Sequence, residues 1–331
     1  MMTTTGLHNK VLPPCGGVFR WGVRRFRRWI GGSILQRPPT PSLPRKGGGR
    51  KSCTVAALIV LACCLQIGAA SAKPQRIASI YLCSDQLLLR LADRERIVSV
   101  NRFAADTTFS NEAAMVKGIP LNRGLAEEIL PLRPDLVIAG VFTALATKAL
   151  LRRLGIAVLE LPIEEDFDGI RANIRLVAGT LGEEERGEGL VTELDRSLEA
   201  AARRSSEDGG RPELMLYRFG GYSQGRNTLT NAIFERAGFA NYAATRLGGV
   251  GRLALETIVT DPPDAILLGD AGTARDSLSA ETLAHPAFHK LRATLPTLIV
   301  PDRLWLCGLA NSGEAVRRLA AFRAGLREAP R

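Results

Sequence analysis

Short apolar runs alternate with segments of helical spacing along most of the chain. Residues 76–81 form a brief β-rich run, 85–91 repeat apolar positions at helical spacing, and 97–100 are apolar again. Residues 136–139 follow Pro134-Asp135 and read as a buried strand. Residues 144–154 read as an amphipathic helix ended by Gly155, and 156–161 as the next strand. This order predicts a parallel sheet covered by helices. From 183 to 206 the pattern changes. Leu190, Leu194, Leu198 and Ala201 recur among Glu and Arg with no Pro, which predicts one long, mostly solvated helix. The alternation then restarts, with strands expected at 213–217, 265–268 and 297–300 and helices at 229–237 and 312–326. The expected fold is α/β, with two Rossmann-like lobes of parallel sheet, 73–182 and 207–331, joined by a single long helix over 183–206.

An internal repeat supports two lobes. Glu127-Glu-Ile129 leads through four residues to Pro134-Asp135 and an apolar run; Glu256-Thr-Ile258 leads likewise to Pro263-Asp264 and an apolar run. Each copy predicts a helix that must stop before Pro, then a tight turn into a buried strand. The Glu stands near the helix start, where negative charge suits the dipole.

Residues 1–72 read as a presequence rather than fold. Arg50-Lys51, a short apolar run over 54–67 and Ala70-Ser71-Ala72 match a charged region, an apolar core and a small-x-small cleavage site, so cleavage is expected after Ala72. Two alternatives are an uncleaved anchor and a lipoprotein acylated at Cys63. Upstream, 1–49 is Pro/Gly-rich linker with an Arg/Trp stretch, read as an over-long leader or an upstream start. Its Arg pairs lie far from the apolar run. Charge changes meaning once this segment is set apart. Eleven of the 44 Lys/Arg and none of the 33 Asp/Glu lie in 1–72, so 73–331 carries as many acids as bases. The net charge of +11 therefore does not point to a nucleic-acid partner.

Common enzyme signatures are absent. There is no phosphate-binding loop, no Gly-x-Gly-x-x-Gly after the first strand and no Gly-x-Ser-x-Gly elbow. Gly220-Gly221 reads as a turn at a strand end. His285 and His289 lack a third ligand, are read as surface residues, and leave no metal site.

These residues resemble the periplasmic binding proteins for iron-siderophores and cobalamin, the class whose lobes are joined by one rigid helix. The similarity spans roughly 75–325. It rests on Arg76-Ile-Ala-Ser-Ile80, on Asp85 to Val100, and above all on Ala126 to Ala139. Gly220-Gly-Tyr-Ser-Gln-Gly225 and Ala237-Gly-Phe-Ala-Asn241 add to it. The resemblance implies a periplasmic, monomeric partner of an ABC permease and its ATPase, with no catalysis and no cofactor of its own. Its two docking glutamates would be Glu127 and Glu256, two acidic knobs able to pair with permease arginines. A cofactor enzyme built on nitrogenase-like lobes is the rival class.

In open α/β sheets ligands sit beyond the carboxyl ends of the strands. That rule selects Tyr81, Cys83, Asp85, Arg102, Phe103 and Phe142 in the first lobe and Arg218, Tyr222, Arg252 and Trp305 in the second. Aromatics cover flat ligand faces and Arg pairs with anionic groups, so a bulky iron chelate is expected, with a corrinoid as the alternative. The stretch Thr245 to Arg252 lacks the aromatic that cobalamin binders carry there, which favours the chelate. Beyond residue 72 only Cys83 and Cys307 remain, in an oxidising compartment. A cross-lobe disulfide, two free thiols and a thiol ligand to metal or haem are all open, and the disulfide is the preferred expectation. The cobalamin binders' own disulfide has no counterpart here. An unbroken linking helix, with Gly187 and Gly189 as its weak spots, predicts only slight cleft closure.

Overall fold

The computed structural model describes residues 73–202, 210–270 and 285–328. The presequence expectations over 1–72 lie outside the described residues. Among these residues no helix is long and apolar enough to cross a membrane.

The first sheet takes β1 (Ile77–Ser79), β2 (Ile97–Asn101), β3 (Leu121–Asn122), β4 (Leu136–Gly140) and β5 (Ala157–Leu161), in the order β3-β2-β1-β4-β5. All of its pairings are parallel. The helices of this half are α1 (Leu82–Leu91), α2 (Ala126–Ile129), α3 (Leu145–Arg153) and α4 (Phe167–Leu181). Helix α5 (Glu184–Ala202) follows. The second sheet takes β6 (Glu213–Leu216), β8 (Ala240–Asn241), β10 (Ala265–Gly269) and β11 (Thr297–Val300), again all parallel, in the order β11-β10-β6-β8. A small antiparallel ribbon of β7 (Tyr222–Gln224) and β9 (Val250–Arg252) projects from it. Helices α6 (Leu229–Arg236), α7 (Leu255–Thr260), α8 (Pro286–Thr294) and α9 (Ser312–Glu328) complete this half.

Both sheets put strands covered on both faces at their centre, which is why β4 and β10 are unbroken apolar runs, buried at every residue. Each sheet has a private core on one face. In the first, Ile80, Val137 and Leu151 pack together; in the second, Met215, Ile266 and Phe288 do. The opposite faces share one core that runs from Leu87 through Leu190, Leu194 and Leu198 to Leu309 and Val316.

The duplicated Glu–Ile–Pro–Asp unit performs the same structural task twice. Glu127 and Glu256 stand in the first turns of α2 and α7. The Asp135 carboxylate accepts the backbone N–H groups of Gln75 (2.6 Å) and Arg76 (3.0 Å), just ahead of β1. The Asp264 carboxylate accepts that of Glu213 (2.7 Å) at the start of β6. Each Asp thus pins its strand against the neighbouring one.

One expectation about the linking helix changes. A separate helix, α4, precedes it: Asp166 caps it by accepting from Gly169 N, and Gly182, at φ 70°, ends it. The expected stripe of α5, Leu190, Leu194, Leu198 and Ala201, is buried with Val191 against α4 and α9, while Glu184, Glu185, Glu188, Glu193 and Glu199 are exposed. Gly187 is no weak spot. A Cβ there would stand 2.5 Å from that of Ala178, so glycine permits close helix packing. Arg171–Asp195 and Arg175–Glu188 pairs tie α4 to α5 as well.

Candidate functional site

The strand carboxyl ends gather most of the expected residues. In the first lobe Tyr81 precedes α1, and its ring fills the space left by Gly140, where a Cβ would come within 3.1 Å of it. Burial, and then the neighbouring Glu164 charge, push its phenol up to about 12, so Tyr81 is a neutral hydrogen-bond donor. Glu164, not selected from the sequence, lies at the end of the segment after β5. It accepts from Asn173 Nδ2 (2.8 Å), and burial raises its pKa. The rule that chose the other residues applies to it equally, since it follows a strand.

After β2, Asn101 Oδ1 accepts from Phe103 N (3.1 Å) and sets a tight turn. This turn displays Arg102 and Phe103, with the guanidinium 4.8 Å from the ring centre. After β4, Phe142 is 78% exposed, an unusual state for a large apolar ring in an aqueous loop. Lys148 on α3 holds that loop from beneath. Its ammonium is buried and donates to the carbonyls of Gly140 (2.9 Å) and Val141 (2.6 Å) and to Glu160.

In the second lobe Gly220 and Gly221, at φ 65° and 79°, make the expected turn. The turn leads into the ribbon, where Tyr222 and Arg252 are directly opposed. Arg252 donates through Nε to Gly220 O (2.8 Å), and its guanidinium lies 5.7 Å from the Tyr222 ring centre. Arg218 faces the Trp305 ring at 5.2 Å and stands 3.7 Å from Asp302 Oδ1. Asp302 is buried at the end of β11, and its backbone N–H donates to Asp270 Oδ1 (2.9 Å).

Three expected ligand contacts need correction. Asp85 is fully buried. Its Oδ1 accepts from Asn101 N (3.1 Å), so it braces β2 from below instead of facing solvent. Burial pushes its pKa up to about 8, against partly compensating hydrogen bonds from Ser79 and Asn101. Cys83 and Trp305 are only 4% exposed; Trp305 backs Arg218 rather than opening to water. Cys83 and Cys307 form a disulfide across 224 residues of sequence, which removes both free-thiol alternatives. Glu127 and Glu256 are exposed and lie away from the strand carboxyl ends, on helices that precede β4 and β10. His285 caps α8 by accepting from Ala287 N (3.2 Å), and His289 is exposed one turn on. Among the described residues no group of three or more His, Cys, Asp or Glu is placed to hold a metal ion.

Residues 77–297 match the periplasmic binding protein family. The chain belongs to that family. Curated relatives from two strains of Halobacterium salinarum, each named cobalamin-binding protein, are 26% identical over 215 residues, which is 64% of this chain. The match spans only 58% of their own length. Among solved structures, the apo heme-binding protein RhuT of Roseiflexus sp. RS-1 is 24% identical with a TM-score of 0.63, covering 76% of this chain and 98% of that one. The vitamin B12-binding protein BtuF of Vibrio cholerae is 15% identical with a TM-score of 0.61, covering 78% and 99%. These structures share the two-lobed fold.

Proposed function

We propose that this chain is the solute-binding component of an ABC importer. It captures a bulky iron chelate, of siderophore or haem type, and hands it to the permease without catalysis. The observation that carries this reading is the set of exposed rings and guanidinium groups at the strand carboxyl ends of both lobes. Phe103, Phe142 and Tyr222 offer apolar faces, while Arg102 and Arg252 offer charge for peripheral carboxylates or other anionic donors. The half-buried Arg218, backed by Trp305, adds a third cation. Titration of the purified protein with hemin, a ferric catecholate chelate and cyanocobalamin tests the ligand class. Saturable binding of an iron chelate, weakened at least ten-fold in Arg218→Ala/Arg252→Ala, is expected. Binding of cyanocobalamin alone overturns it in favour of a corrinoid, the second reading, which the names of the Halobacterium relatives favour.

In the same reading the chain is exported, cleaved after Ala72, and acts in the periplasm as a monomer. Its lobes comprise 73–182 and 207–331, with 183–206 between them. Glu127 and Glu256 dock to permease arginines, supported by their exposure and matched placement in the two lobes. Mass analysis of the exported protein should find Lys73 at its N-terminus. An acylated Cys63 would mean a lipoprotein instead.

A further inference from the structure

Residues 302–311, between β11 and α9, reach out of the second lobe and meet the first lobe and α5 at several separate points. Arg303 O accepts from Asn111 Nδ2 (2.6 Å). Cys307 is bonded to Cys83 in the first turn of α1. Gly308 packs so tightly that a Cβ would stand 2.6 Å from Ile170 Cγ1 and 3.0 Å from Glu164 Cγ. Ala310 O accepts from Ser197 Oγ on α5 (3.3 Å). Beside this segment a small chamber is lined by Gln86, Arg90, Glu112, Leu309 and Asn311. Gln86 spends its carbonyl on Asn111 N (2.8 Å). The contact surface is thus tightly fitted, and the disulfide ties it covalently.

We infer that 302–311 is an oxidation-dependent latch that completes the inter-lobe face after export. The inference is independent of which ligand the cleft takes. Cys83 is the second residue of a ten-residue helix, and thiol–disulfide exchange proceeds through its thiolate. That thiolate attacks a disulfide-bearing oxidant, expelling one oxidant thiolate and leaving a mixed disulfide. Cys307 then attacks the Cys83 sulfur and expels the second. The two cysteines lose two electrons and two protons, and the oxidant leaves as a dithiol. Afterwards both sulfurs are buried, so an outside thiol reaches the closed latch only slowly. Each sheet keeps a private core that does not use this segment. Opening the latch should therefore leave both lobes folded while their contact loosens.

Hydrogen exchange on the full chain, comparing the oxidised protein with Cys83→Ser/Cys307→Ser, tests this. Amides of 302–311 and of the first turn of α1 should exchange at least ten-fold faster in the double variant, with β4 and β10 unchanged. Dithiothreitol should reproduce the change in the native chain and add nothing in the variant. Unchanged protection over 302–311 would overturn the latch. So would equal loss of protection in β4 and β10, which would make the bond a general staple of the fold.

Discussion

The two lobes are built on one plan and diverge at one end. Strands β2-β1-β4-β5 of the first correspond in order to β8-β6-β10-β11 of the second. Both use a Pro-Asp turn to pin the central pair and both carry an exposed Glu in the helix before it. At the carboxyl ends the likeness stops. The first lobe has a buried polar floor, in which Ser79 and Ser84 are 2.8 Å apart and Asn122 donates to Ser79 O and Ser99 Oγ. The second lobe has a ribbon and an Arg–Trp stack. Shared edges suit a task done identically by both lobes, such as registering against a two-fold partner. The unlike ends suit an asymmetric ligand, which needs different groups on its two sides.

The sharpest way to break this comparison is to reverse the shared edge. Glu127→Lys/Glu256→Lys should abolish uptake of the ligand by cells while leaving its affinity in solution within two-fold. Surviving uptake would show that the matched glutamates do not dock. A single reversal should do much less, since one exposed charge contributes little.

The unlike ends are probed next. Lys148→Met removes the ammonium beneath the Phe142 loop, leaving two carbonyls without their donor and Glu160 paired only with Arg152. Glu160 is only part-buried and keeps Arg152, so the loss expected in urea denaturation is that of carbonyls left without their donor, about 1–3 kcal/mol.

Asp85 separates the lobes by pH. Its pKa in the folded chain is about 8, against 3.8 for the free side chain. Between those values the folded state holds a proton that the unfolded state has lost, so stability falls as pH rises through that window. Glu164 is shifted in the same direction. Asp85→Asn should flatten much of the slope, stabilising the chain at pH 9 with little effect at pH 4. Denaturation midpoints at the two pH values measure it, and an unchanged slope would place the titration elsewhere.

The smallest effect sharpens the shared plan. Asp135→Ala removes an acceptor for two backbone N–H groups and Asp264→Ala an acceptor for one. Charge-assisted bonds at exposed sites give about 2 kcal/mol for the first and about 1 kcal/mol for the second. Equal losses would mean that the two pins are not used alike.

Much of this architecture was legible along the chain. The alternation of apolar runs located β4, β5, β10 and β11, and the repeat at Glu127 and Glu256 exposed the duplication. Glycines 155, 220 and 221 marked turns that do occur with positive φ. Helix α4 was missed between two better signals, although Asp166 and Gly182 bracket it with ordinary capping chemistry. The carboxyl-end rule found Arg102, Phe103, Phe142, Tyr222 and Arg252 on the surface, but it could not tell these from Asp85, Cys83 and Trp305, which the fold buries.

That division has a physical reason. Strand and helix periodicity, caps and Pro-Asp turns act over a few residues, so the sequence by itself determined the two sheets, their order of elements and the matched edges. Burial depends on what packs above a residue. Asp85 is covered by β2, and Lys148 is fixed by Glu160 on a neighbouring strand. The cysteine count already favoured the Cys83–Cys307 bond that the fold makes across 224 residues, but the fit of Gly308 against Ile170 exists only once both lobes have docked on α5. Tertiary structure alone decided such packing, because no local signal can carry the distance between residues that far apart in the chain.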